Sequence, residues 1–234
     1  MSGLQKELLT FAETFPIQQI PGFFNIMTLH STYITMNQKT MQLVGYRSTE
    51  QLAFTRYEDL PCKAAESADI FKEEDQKVIT SKLPLRILSY QCVADNNWMI
   101  LLGEKAPIFN IHNEVIGTTS QFLDITHLNL IDLGRFIPKL IQKQFSYILL
   151  PSTNLLSLSQ RQTECLFFII RGYSSQSIAK ILGLSFRTVH DHIDELKLKF
   201  QCSNKMMLIE KAINEGFINI LPETLLKVPF EKAS

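Results

Sequence analysis

Residues 156–205 read LSLSQRQTECLFFIIRGYSSQSIAKILGLSFRTVHDHIDELKLKFQCSNK, and this stretch decides what kind of protein the chain is. Ser159 followed three positions later by Gln162 forms a capping-box pattern, which starts a helix. Cys165, Leu166, Ile169 and Ile170 supply its apolar stripe, and Gly172 ends it as a C′ glycine does. Ser174 caps a second, short helix with Ile178, Ala179 and Leu182 inside and Gly183 closing it. Only Leu184 separates that glycine from Ser185, the next cap. Helix, three-residue turn, helix is the spacing of a DNA-reading pair. The third helix runs from Phe186 to about Phe200, and at about 100° per residue Val189, Ile193, Leu196 and Phe200 share one narrow stripe. That stripe must pack inward, which turns Arg187, Asp191 and Asp194 outward, with His190 on their flank. A fourth helix, capped by Ser203 and ending near Gly216, offers Met207, Leu208 and Ile213 to the core or to a second copy.

The rest of the chain places that stretch in context. At 234 residues the chain has room for two domains. Its formal charge is zero, but residues 1–130 carry 10 basic and 14 acidic side chains while residues 154–216 carry 8 and 6, so the positive surplus lies toward the C-terminal half. This is a weak pointer to nucleic acid there. The four cysteines (Cys62, Cys92, Cys165, Cys202) form no CxxC and have no histidine cluster beside them, so they read as reduced thiols and no metal site is expected. No apolar run reaches the roughly 20 residues a bilayer demands. Residues 1–15 read as an amphipathic helix with Leu4, Leu8, Leu9, Ala12 and Phe15 on one side, interrupted by Lys6, Glu7 and Glu13 and therefore unlike a signal peptide. The expected location is the cytoplasm, without membrane attachment.

Residues 16–128 alternate strand-like and helical segments. Extended runs at 22–29 and 32–36 precede short helices at 37–45 and 72–81; three strands follow at 85–93, 98–105 and 114–123, the first two joined by the turn Asp95-Asn96-Asn97. About five strands with helices inserted after the second argue for an α+β domain on one antiparallel sheet. In residues 129–150, Leu130, Leu133, Ile137, Leu140, Ile141, Phe145 and Ile148 recur at helical spacing, and Pro138 divides them into two helical pieces. The expected division is 1–128 as a first domain, 129–153 as a helical linker, 154–216 as an all-α four-helix domain and 217–234 as a tail, docked at most through Leu225, Leu226 and Phe230.

The quoted stretch resembles the LuxR-type helix-turn-helix domain at Leu158-Ser159, Glu164, Leu166, Gly172, Ile178-Ala179, Leu182-Gly183, Ser185, Thr188-Val189, His192 and Lys199. The resemblance covers about a quarter of the chain without a gap. It implies that Ser174, Gln176, Thr188, Lys199 and Lys205 face phosphates, and that His190, Asp191 and Asp194, with Arg187 beside them, face base edges. Relatives often carry Lys, Arg or Asn at the base-facing places, so two aspartates are a departure. A carboxylate accepts from the cytosine amino group and cannot donate to guanine. It is also repelled by phosphates, which implies modest affinity and reliance on dimerisation.

Residues 16–128 resemble the PAS family. Asn37, Gly45-Tyr46 and the run 48–52 look like its first helical segment; Lys105-Ala106-Pro107-Ile108 with Glu114-Val115-Ile116-Gly117 resembles its late strand pair, and Asp124-Ile125-Thr126 its closing motif. The resemblance implies a half-open sheet with helices over one face and a pocket between. Phe23, Ile26, Leu88, Tyr90 and Ile100 are the candidate lining, although the same positions serve equally as plain core. Cys62 does not sit in the reactive context of a flavin-linked photosensor, and His30, His112 and His127 sit near turns or strand ends, so no flavin or haem is assigned. No enzyme motif is present among P-loops, nucleophile elbows or dinucleotide fingerprints.

These readings imply a sequence-specific regulator of transcription. It would bind double-stranded DNA as a homodimer and use its PAS-like domain to sense a small molecule or to dimerise. The alternative is a PAS-based interaction adaptor whose DNA contact is weak or lost.

Overall fold

The computed structural model describes residues 3–52, 55–126, 145–150 and 158–225. The chain divides into two compact units, Met1–Ser146 and Tyr147–Ser234.

In the first unit the strands are β1 (Phe23–Thr28), β2 (Tyr33–Met36), β3 (Leu85–Cys92), β4 (Trp98–Phe109) and β5 (Val115–Asp124). All their pairings within this unit are antiparallel, in the order β2-β1-β5-β4-β3. The first and last strands of the early hairpin and late hairpin thus meet at the centre, where β1 and β5 pair from Phe23↔Phe122 to Thr28↔Gly117. Helix α1 (Gly3–Thr14) lies on one face, and α2 (Gln38–Val44) and α3 (Ala68–Ser81) belong to the other. Under α1, Leu8, Ile17, Phe24, Ile26, Ile108 and Ile116 form one core cluster. On the opposite face Met27, Tyr33, Met36, Met41, Val44, Tyr57 and Leu60 form another. Helices α2 and α3 and a cavity thus lie over one side of the sheet, and α1 covers the other.

Local chemistry explains the elements. Asn37 caps α2 by accepting from the Thr40 amide, and its own amide group reaches the Gly22 carbonyl at 3.0 Å, tying the helix start to the chain entering β1. Gly45 ends α2 with φ 93°. Gly117 is required for a different reason. A Cβ there would lie 2.5 Å from the Met27 carbonyl and 2.7 Å from a Leu8 methyl, so α1 seats Leu8 on bare backbone.

A charged cluster is buried beneath α3. The Lys105 ammonium lies 2.7 Å from Asp75 and 3.2 Å from Glu74, with all three side chains at most 4% exposed. Ser31 and Tyr57 donate to Asp75 at 2.6 and 3.3 Å, and Ser146 donates to Glu74 at 2.5 Å. Burial alone lowers a lysine pKa, but here the two carboxylates outweigh it and raise the Lys105 value. A raised pKa in the folded state means that its stabilisation is complete at neutral pH and is lost only as pH climbs beyond 10.5 toward the folded value.

The second unit contains α4 (Gln160–Ile169), α5 (Ser175–Leu182), α6 (Phe186–Lys199) and α7 (Lys205–Asn214), the four expected helices. The cap of α7 is Asn204, which accepts from the Met207 amide, whereas Ser203 donates to the Met207 sulfur. Two strands flank these helices in the chain, the first of them starting with the last two residues of the first unit. β6 (Phe145–Leu150) pairs in parallel with β7 (Ile220–Pro222), joining Ile148 to Ile220 and Leu149 to Leu221. Helical spacing predicts a helix at Phe145 and Ile148. The run Phe145-Ser146-Tyr147-Ile148-Leu149-Leu150 is instead a strand, because its pairing partner lies far along the chain and a short apolar run reads the same in either form. Pro138 and the remaining linker positions, 129–144 and 151–153, lie outside the described residues, as do Leu226 and Phe230. Leu221 and Leu225 are buried, Thr224 donates to Glu164 at 2.6 Å, and Arg171 donates to the Ile218 carbonyl at 2.7 Å, so residues 217–225 are fastened to α4.

Two substitutions test this packing by chemical denaturation. Gly117→Ala forces α1 off the sheet and is expected to cost about 1–3 kcal/mol; an unchanged midpoint contradicts the close approach. Lys105→Met strands two buried carboxylates and is expected to cost about 3–5 kcal/mol at neutral pH; a cost below about 1 kcal/mol contradicts the buried pairing.

Candidate nucleic-acid interface and ligand cavity

The interface is built from caps and one buried stripe. Ser174 caps α5 by accepting from the Ser177 amide, and Ser185 caps α6 by accepting from the Thr188 amide at 3.0 Å. Between them Gly183 turns the chain with φ 65°. Val189, Ile193, Leu196 and Phe200 are all buried, and α6 packs on both α4 and α5. Burying such a stripe is worth on the order of 1.5–3 kcal/mol per side chain, enough to fix the rotation of α6 about its axis. Arg187, His190, Asp191 and Asp194 are consequently exposed. Of the residues expected at phosphates, Ser174, Gln176 and Lys199 are exposed, while Thr188 and Lys205 are half-buried.

The two aspartates differ. Lys197 holds Asp194 at 2.7 Å and keeps its carboxyl below the usual aspartate value. Asp191 is the less compensated of the pair. Lys199 is also engaged: its ammonium donates to the Gln162 side-chain carbonyl at 2.8 Å. The Gln162 amide donates at 2.6 Å to Glu195, which stands 3.5 Å from His192. The capping-box glutamine of α4 therefore connects to the basic end of α6. Sequence spacing marked Gln162 as a cap only, since a contact across 37 positions leaves no periodic signal.

In the first unit a cavity of about 90 Å³ opens between the sheet and α2–α3. That is smaller than the roughly 150 Å³ that admits benzene in an apolar core, so an occupant must be compact or the walls must give. Its walls include Phe23, Asn25, Tyr33, Tyr57, Ser89 and Lys105. Of the expected lining, only Phe23 faces it. Ile26, Leu88 and Ile100 are buried on the other side of the sheet, and Tyr90 stacks on Trp98 with ring centres 4.8 Å apart. Side chains alternate across a strand, so the lining consists of the neighbours of those positions: Asn25, Ile87, Ser89, Gln91 and Leu101. The Asn25 side-chain oxygen and the Ser120 hydroxyl, opposite one another on β1 and β5, are buried without hydrogen-bond partners. Burial raises the pKa of Tyr33 and Tyr57, most of all through desolvation, so both phenols stay protonated. Among the described residues there is no group of three metal-binding side chains, and no helix is long and apolar enough to cross a membrane.

Comparison with known proteins agrees with this geometry. Residues 156–212 match the model of bacterial regulatory proteins of the luxR family. The transcriptional activator protein LuxR of Aliivibrio fischeri is 42% identical over 62 residues, covering 26% of this chain and 25% of that protein. The transcriptional activator protein AhyR of Aeromonas hydrophila is 37% identical over 62 residues, covering 26% and 24%. The chain thus aligns with about a quarter of the length of these relatives. A solved structure of the Vibrio cholerae VqmA dimer is 25% identical, covers 94% of this chain and 92% of that one, and superposes with a TM-score of 0.48. Together the matched residues and the capped, outward-facing α6 identify residues 156–212 as a LuxR-type helix-turn-helix domain.

Proposed function

We propose that this protein regulates transcription by binding specific DNA sequences as a homodimer, with its PAS-like domain supplying the signal. One observation carries the DNA reading: the buried stripe of α6 leaves Arg187, His190, Asp191 and Asp194 in a solvent-facing row that begins in the first turn after a capped N-terminus. That end of a reading helix is what meets base edges in the major groove. Pairing of Asp194 with Lys197 removes much of the repulsion that two carboxylates would impose on a phosphate backbone, leaving Asp191 as the acceptor for a cytosine amino group. Two copies related by a twofold axis would read half-sites about one helical turn apart.

The cavity supports a small polar ligand as the signal. Buried polar atoms are nearly always paired, and Asn25 and Ser120 present two orphans on one wall. A bound molecule with a donor and an acceptor would satisfy both, beside the phenols and the Lys105 ammonium. Solved relatives include VqmA bound to DPO, a complex recorded for that protein. The match of residues 156–212 to luxR-family regulatory proteins favours a regulator over an enzyme.

Selection from randomised duplexes tests the DNA reading. Asp191→Ala should alter the preferred base at one position of each half-site, while Lys199→Ala should weaken all sequences about equally and reduce the salt slope by about one. Equal, uniform effects of both changes would contradict the placement of α6 in the groove. For the cavity, Asn25→Leu combined with Ser120→Ala should leave thermal stability unchanged or higher, since orphaned polar groups are removed, yet abolish the cellular response to the inducing signal. Retention of that response would exclude the cavity as the sensor.

A further inference from the structure

Phe186 opens α6 with 52% of its surface exposed. Phenylalanine is usually buried, and this ring is not part of the stripe that fastens the helix. Its ring contact is with His190, one turn along, with centres 4.5 Å apart and planes inclined at 50°. His190 is also exposed. The two therefore form an aromatic step on the outside of the helix, at its N-terminal end, adjoining the row Arg187, Asp191 and Asp194. On an interface meant for phosphates such a step has no electrostatic use. Among the base edges of the major groove one group is apolar, the thymine methyl, and an apolar side chain set against it distinguishes thymine from every other base.

We infer that Phe186, held in place by His190, reads a thymine methyl at the edge of the half-site. This rests on the DNA-binding reading of α6 and extends it to a residue that its polar chemistry does not use. With Asp191 accepting from cytosine, the reading face becomes selective for pyrimidines: one recognised by its amino group, the other by its methyl. His190 then acts as a positioning residue for the ring.

The experiment uses the full chain and duplexes selected from a randomised pool. One thymine position should be enriched by the wild type, retained by Phe186→Leu, and lost by Phe186→Ala, with all three proteins showing the same thermal melting. Replacing that thymine with uracil removes only the methyl. It should weaken wild-type binding about fourfold, the weight of one buried methyl, and leave Phe186→Ala unaffected. The inference is overturned if Phe186→Ala selects the same sites and suffers the same uracil penalty, or if its loss is uniform over all sequences. A wild-type protein that enriches no sequence at all overturns the DNA-binding reading itself, a different result from a sequence preference that ignores Phe186.

Discussion

The rotation of α6 about its own axis is the constraint on which the functional reading depends. Four side chains at successive turns of the helix, Val189, Ile193, Leu196 and Phe200, are driven into the core of the second unit. A helix has only one opposite side, so the same packing fixes which residues face outward. The caps at Ser174 and Ser185 add to this by setting where each helix begins. Without that stripe the outward row would be an arbitrary set of charges. With it, Arg187, Asp191 and Asp194 become a surface with a defined direction.

The electrostatics of that surface are arranged rather than simply basic. Lys197 attends Asp194, Gln162 holds both Lys199 and Glu195, and Asp191 faces solvent with less compensation. The first unit shows the same economy in its interior. Lys105 is shared between Glu74 and Asp75, and hydroxyls from Ser31, Tyr57 and Ser146 complete the set. Such a cluster is costly to break, and it forms one end of the cavity wall through Lys105 and Glu74. The aromatic rings of Phe23, Tyr33, Tyr57 and Phe71 line other parts of the same wall.

Much of this was legible in the sequence, for identifiable reasons. The helix-turn-helix carries its information locally, in serine caps, αL glycines and a stripe of fixed period. Its helices therefore fall where spacing puts them, from Ser159 through Gly183 to Phe200. The sheet was legible as strands and turns but not as faces. Both faces of it are buried, under α1 on one side and under α2 and α3 on the other, so alternation shows that Leu88 and Ser89 point apart without showing which points at the cavity. Choosing the apolar alternates selected Ile26, Leu88, Tyr90 and Ile100, whereas the cavity is lined by their neighbours, polar at Asn25, Ser89 and Gln91 and apolar at Ile87 and Leu101. Strand β6 was hidden because its partner, β7, is set by a distant pairing. The buried Lys105 cluster was hidden because a lysine beside the late strand pair looks like an ordinary surface residue until α3 is laid across it.

The most direct measurement is photo-crosslinking from α6 in the complex of the full chain with a selected duplex. A photo-reactive side chain replacing Asp191 should join to a base within the half-site, while one replacing Ile193, on the buried stripe, should join only to the protein. Crosslinks from Asp191 to the protein's own interior, with DNA captured instead from another helix, would contradict the account.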